Sequence, residues 1–138
     1  MTHDTVRGEV LDAAAGLVAA FGAHDADAYF GCFSPEATFL FHNHPELIDS
    51  RAAYEAIWRG WELEGFRVEG CRSLEPQVLV TDEAGAVFTH RVRTRLAGTA
   101  DEQAERETMV FRRTAEGRWL VVHEHLSVDP RTDLPNGS

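Results

Sequence analysis

Apolar residues in the first half of the chain recur at helical spacing. Val6, Val10, Ala14, Leu17, Val18 and Phe21 make one stripe, so the pattern predicts a long amphipathic helix. Asp25 is placed to cap a short second helix over "ADAYFGCF", bringing Tyr29, Phe30 and Phe33 on or near its inner face. "SPEA" reads as a turn and "TFLFHN" as a short strand. Asp49 or Ser50 then caps a third helix, "RAAYEAIWRGWELE", with Tyr54, Ile57, Trp58 and Trp61 on one side.

After Gly65 the period changes to two. "FRVEGCRSLEPQVLV", "AVFTHRVRTRL", "ERETMVFRR" and "RWLVVHEHLSV" read as strands, separated by the turn material "TDEAG", "AGTADEQ" and "TAEG". Three helices followed by a meandering antiparallel sheet predict an α+β domain with the helices on one sheet face. In the middle strands Phe88, Val92 and Leu96 alternate with Arg91, Arg93 and Arg95, which are expected to face solvent or a partner. His90 is in phase with the apolar set, and Glu107 is in phase with Met109 and Phe111. The last strand is ambiguous: Trp119, Val121, His123 and His125 share one face, and Leu120, Val122, Glu124 and Leu126 the other.

With 138 residues, 43% of them hydrophobic, the chain supports one domain over residues 1–128, with 129–138 expected as a loose tail. It has no run of the roughly 20 apolar residues a membrane span needs, and its N-terminus lacks the apolar core of a signal peptide. Cys32 and Cys71 form no metal or redox spacing, so a cytoplasmic protein with reduced thiols is the expectation. The net charge of −10 argues against nucleic acid or an anionic membrane as a partner. Without a phosphate-binding glycine loop, nucleophile elbow or Cys–His dyad pattern, no cofactor is called for.

The stretches "AFGAHDADAYFGCFSPEATFLF", "SRAAYEAIWRGW" and "ERETMVFRRTAEGRWLVVHEHLS" together resemble the NTF2-like (SnoaL-like) superfamily. The resemblance runs to about Val128. It implies a cone in which three N-terminal helices and a curved antiparallel sheet, mixed at the edge, enclose a pocket. The last stretch is similar to the ending of the association domain of calmodulin-dependent protein kinase II. The functional residues of these relatives do not carry over. Where the ketosteroid isomerases place a general base and two oxyanion-hole groups, this chain has Phe41, Leu17 and Met109, none of which exchanges protons or hydrogen-bonds an enolate. Two pocket arginines of the kinase domain fall opposite Met109 and Leu126.

The same alignment orients the last strand. If Met109 and Leu126 face the pocket, so do Val122 and Glu124, while His123 and His125 lie with Trp119 and Val121 on the convex face. The resemblance implies that this face joins two copies in a homodimer. The expected pocket lining is Leu17, Phe21, Tyr29, Phe33, Phe39, Phe41, Tyr54, Trp58, Phe88, Met109, Phe111, Val122 and Leu126, suited to a small apolar or aromatic organic ligand. The ionisable groups in phase with it are His90, Glu107 and Glu124. Desolvation would raise a carboxyl pKa there and equip it for acid–base work, with His90 and Glu124 as the catalytic pair and Glu107 in support. The plainer reading is that they satisfy one another as structural ion pairs. The pairs His42/His44 and His123/His125 have spacing for a shared metal ion, but they are expected on different faces, so no metal is assigned. Two functions stay open: cofactor-independent proton transfer of isomerase, cyclase or dehydratase type, or a non-catalytic ligand-binding or oligomerisation module.

Overall fold

The first helix, α1 (His3–Gly22), starts where the Thr2 side chain accepts the Thr5 amide at 3.1 Å, and it buries Val6, Val10, Ala14 and Leu17. The computed structural model describes residues 2–132. His24 ends the helix with φ of 53°, a conformation more accessible to His than to branched residues. Its ring is pinned on both sides. Nδ1 accepts the Val68 amide at 2.9 Å, which leaves Nε2–H to donate to Glu62 at 2.7 Å. Asp25 caps α2 (Ala26–Phe30) through the Ala28 amide, and Ser50 caps α3 (Arg51–Leu63) through the Ala53 amide.

Five strands follow the order β1 (Phe33–Phe41), β5 (Trp119–Val128), β4 (Gln103–Arg113), β3 (Gly85–Leu96), β2 (Val68–Asp82) across an open sheet. The β1–β5 pair is parallel and the rest are antiparallel. "SPEA", expected as a turn, is part of β1, whose pairing with β5 slips between Phe33 and Thr38. Three irregularities in β2, one at Glu75–Pro76 with Glu75 at φ 53°, add the bend that curls the sheet around the helices. Among the described residues no helix is long and apolar enough to cross a membrane.

The narrow end of the cone is solid. Phe33, Phe39, Trp58, Phe88, Met109 and Phe111 are almost wholly buried there, with rings packed edge to face, as in Phe30–Tyr54 at 5.0 Å. Fully burying one such side chain contributes about 1.5–3 kcal/mol.

Two expectations about β5 and its sequel are corrected. A bulge opposite Val110 and Phe111 leaves Val122 as an extra residue, so the strand changes phase within itself. Trp119 and Val121 therefore point into the core, where Trp119 Nε1 donates to Glu9 Oε1 at 2.8 Å, and Glu124 points the same way. Val122 is neither in phase with Glu124 nor on the cavity wall. The chain after Val128 is also not loose at its start. Asp129 is 1% exposed, bonded to Arg91 and paired with Arg93 at 3.0 Å, and its amide donates to Ala104 O at 3.0 Å. Arg93, expected at the surface, is 3% exposed because this segment covers it, and its guanidinium also reaches Arg131 O at 2.7 Å. Most of the predicted tail, residues 133–138, lies outside the described residues.

Candidate active site

Above the aromatic plug the cone holds a cavity of about 420 Å³. Its floor is made by Tyr29 of α2, Tyr54 of α3, Cys71 of β2, Thr94 of β3, Glu107 of β4 and Glu124 of β5. Trp61, Phe66, Leu96 and Gln103 also line it, together with Leu17, Phe21, Phe41 and Leu126 of the expected lining. The other expected residues divide by depth. Phe33, Phe39, Trp58, Phe88, Met109 and Phe111 have the inward phase but sit in the plug, and Val122 is displaced by the bulge.

The three expected catalytic groups come together, in an order different from the expected one. Glu124 and Glu107 face the cavity on neighbouring strands, in register within two residues of each other (Met109 opposite Glu124, Glu107 opposite Leu126). His90 stands behind Glu107, off the cavity wall: its Nε2 is 2.6 Å from Glu107 Oε1 and its Nδ1 is 2.6 Å from Ser73 Oγ. The chain Glu124–Glu107–His90–Ser73 thus runs from the cavity outward across four strands. His90 holds Glu107 in place rather than meeting a ligand, and the Ser73 hydroxyl satisfies Nδ1 in either ring protonation state, since it both donates and accepts.

The electrostatics separate the two carboxyls. Burial pushes Glu124 well above the usual carboxylate range, and the Glu107 charge, the hydrogen bond shared with Glu107 and the Glu105 charge push the same way. Burial also raises Glu107, but hydrogen bonds from Glu124 and His90, together with the His90 charge, outweigh it and hold Glu107 below its ordinary value. One proton therefore rests on Glu124 and is shared toward an ionised Glu107, the arrangement by which paired acids divide donor and acceptor roles. Glu124 Oε1 remains buried without a hydrogen-bond partner. Nearby, the Tyr29 and Tyr54 hydroxyls bond each other at 2.9 Å, and burial raises both above the ordinary phenol value, so both stay protonated.

Three ionisable wall residues, Glu64, Glu105 and Cys71, escaped the sequence reading. Glu105 lies in phase with Glu107, which the alternation of β4 could have revealed; burial raises it, partly offset by the hydrogen bond and charge of His42 at 2.6 Å. Cys71 is a free thiol pushed up to about 12, first by burial. The paired histidines do not converge. His42 serves Glu105, and His123 on the opposite sheet face meets Thr38 Oγ1 at 2.7 Å. Among the described residues no three His, Cys, Asp or Glu side chains form a metal-holding group.

Comparison with known proteins agrees with this architecture. The model of the SnoaL-like domain matches residues 10–130. No curated protein sequence matches the chain. An NTF2-like protein of unknown function from Pseudomonas putida KT2440 superposes with a TM-score of 0.79 at 16% identity, covering 96% of this chain and 93% of that one. A ketosteroid isomerase-like protein from Erwinia carotovora atroseptica SCRI1043 gives 0.76 at 16% identity, with 90% and 96% covered. ActVI-ORFA from Streptomyces coelicolor gives 0.71 at 16% identity, with 88% and 96% covered. At these identities the likeness concerns the fold.

Proposed function

This chain belongs to the SnoaL-like domain family, and we propose that it binds a small, flat, largely apolar organic molecule in the cavity and moves a proton on it without a cofactor. The observation that carries the reading is the unequal carboxyl pair on the cavity floor: Glu107 is backed by His90 at 2.6 Å, whereas Glu124 has no basic partner among the described residues, so burial favours its neutral form. Glu124 gives its proton to a heteroatom doubly bonded to carbon in the ligand while Glu107 accepts one from the carbon next to that C=X group. The ligand's heteroatom then returns its proton to Glu124, and Glu107 delivers its proton back to carbon, so the site ends as it began. His90, fixed by Ser73, keeps Glu107 ionised and oriented. Tyr29, Tyr54 and Phe41 supply the apolar floor on which a ring system lies.

The test uses β-tetralone, a bicyclic ketone with acidic carbon-bound hydrogens, incubated with the protein in deuterium oxide. Nuclear magnetic resonance should show exchange at the carbon next to the carbonyl accelerated by the wild type. Both Glu124→Gln and Glu107→Gln should return it to the buffer rate. Exchange equal to buffer with wild type, or unchanged in Glu124→Gln, overturns the assignment.

The convex sheet face is the surface we assign to a second copy of the chain. It presents exposed Leu40 and His125 beside Arg106 and Arg91, a mixture suited to an interface. Solution mass measurement reads this directly: a dimer supports it, and a monomer at high protein concentration removes it.

A further inference from the structure

We infer that the heteroatom served by Glu124 is a basic nitrogen, so that the ligand class is an amine or imine carried on a flat aromatic body. The inference rests on the reading of the cavity as a proton-transfer site and narrows its substrate. Its first support is the charge on the wall. Glu64, Glu105, Glu107 and Glu124 all line the cavity, and no Arg, Lys or His is among the described wall residues. A carboxylate ligand would enter against like charge, whereas a cation is drawn in.

The second support singles out one atom. Glu107 and Glu105 each have a histidine at 2.6 Å, His90 and His42, that answers their charge from outside the cavity. Glu124 is 3% exposed, and among the described residues it has no basic ion-pair partner and its Oε1 accepts no hydrogen bond. A buried acceptor left without a donor is costly, and an N–H from a ligand is the group that satisfies it. The rings of Tyr29, Tyr54 and Phe41 also line this part of the cavity and favour a cation over their faces.

The proton count follows. Glu124 faces Tyr29 from α2, Tyr54 from α3, Cys71 from β2 and Glu105 and Glu107 from β4, with His90 of β3 behind Glu107. None of the groups lining the cavity beside it supplies positive charge, so Glu124 holds its proton when the cavity is empty. An amine supplies that charge: on entry it leaves one proton of its ammonium form to solvent, the Glu124 O–H bond breaks as that proton moves to the nitrogen, and the carboxylate pairs with the ammonium so formed. Binding of an amine that is already protonated in water therefore releases one proton and weakens as pH falls.

Three probes that share one ring system test this by calorimetry near neutral pH: naphthylmethylamine, naphthalenemethanol and naphthoate. The amine should bind about tenfold or more tightly than the alcohol, as expected when a neutral hydrogen bond becomes charge-assisted. Naphthoate should bind more weakly than either. In Glu124→Gln the amine's advantage should fall to within about threefold. Wild-type titrations in buffers of different ionisation enthalpy should show about one proton released with the amine and none with the alcohol, a reading that does not depend on a variant folding. Equal binding of amine and alcohol, an amine advantage that survives Glu124→Gln, or absence of proton release overturns the nitrogen assignment alone. Failure of all three probes to bind overturns the open apolar cavity as well, and with it the proposed function.

Discussion

Replacing His90 by leucine tests the inner half of the site. The His90 and Glu107 side chains are 0% and 10% exposed and meet at 2.6 Å, so the variant leaves a buried carboxylate without its basic neighbour. Removing one partner of such a pair usually costs about 3–5 kcal/mol. Glu107 keeps the hydrogen bond from Glu124, which places the expected loss at the lower end, about 3 kcal/mol near neutral pH. For a domain of this size that is a drop of roughly 10 °C in Tm. The pH dependence separates this from mere loss of packing. Because the folded pKa of Glu107 is depressed, its contribution to stability is present above the unfolded value of about 4.3 and is lost as pH falls through the folded value. The difference between wild type and His90→Leu should therefore shrink toward about 1 kcal/mol, the worth of a neutral hydrogen bond, when measured below about pH 4. Urea unfolding at the two pH values provides the measurement, and the same substitution in a Glu107→Gln background should show little pH dependence. A cost that is equal at both pH values, or under about 1 kcal/mol near neutrality, refutes a charged, His-supported Glu107.

Asp129→Ala should destabilise the fold by about 3 kcal/mol, because it strands the buried Arg93 while leaving that residue its carbonyl contacts; denaturant midpoints will read this, and a loss within about 0.5 kcal/mol contradicts the clamp. Asp129 is held below its ordinary value despite burial, by the Arg131 amide, its hydrogen bond with Arg93 and the charges of Arg91 and Arg93. Its contribution is therefore lost only as pH falls below about 3.9, and acid unfolding of the Ala variant should lack that component. Cys71, half-buried and pushed up to about 12, should resist iodoacetamide in the folded protein near pH 8 and react after unfolding in urea; mass spectrometry of labelled peptides will show it, and fast native labelling at Cys71 contradicts a thiol raised by its surroundings. Ser73→Ala should leave stability within about 1 kcal/mol of wild type while lowering exchange of β-tetralone, with recovery in Ser73→Thr; unchanged exchange removes Ser73 from the chain behind Glu107.

Much of the architecture could be read from spacing, because each local signal had one dominant physical cause. The stripe from Val6 to Leu17 and the Asp25 cap depend on residues three and four apart and form as expected, while of the two candidate caps Asp49 and Ser50 it is Ser50 that caps α3. The inward phase of His90, Glu107 and Met109 follows from period two along unbroken strands. Phase failed where a strand breaks step. Val122 is one residue too many in β5, and no neighbouring glycine or proline announces it, so strict alternation puts Trp119 and Val121 on the wrong face. Depth was also illegible. Phe39 and Phe41 share a face of β1, yet one packs in the plug and the other lines the cavity, because the cone narrows along the strand. Asp129 looked like the start of a polar tail, since its partners Arg91 and Arg93 lie more than thirty-five residues earlier and meet it only after the sheet forms. The role of His90 changed for the same reason: alternation gave its face, while the contact with Ser73 that places it behind Glu107 is a tertiary one.

The proton on Glu124 is the feature on which both the proposed chemistry and the nitrogen preference depend. Carbon-13 resonance of the glutamate carboxyls, with Glu124 and Glu107 assigned by their Gln variants, measures it site by site as pH is varied. A Glu124 signal that remains that of a neutral acid at about pH 7 while Glu107 is already ionised is the predicted result. A Glu124 signal that titrates near the ordinary value of about 4.3 contradicts the account.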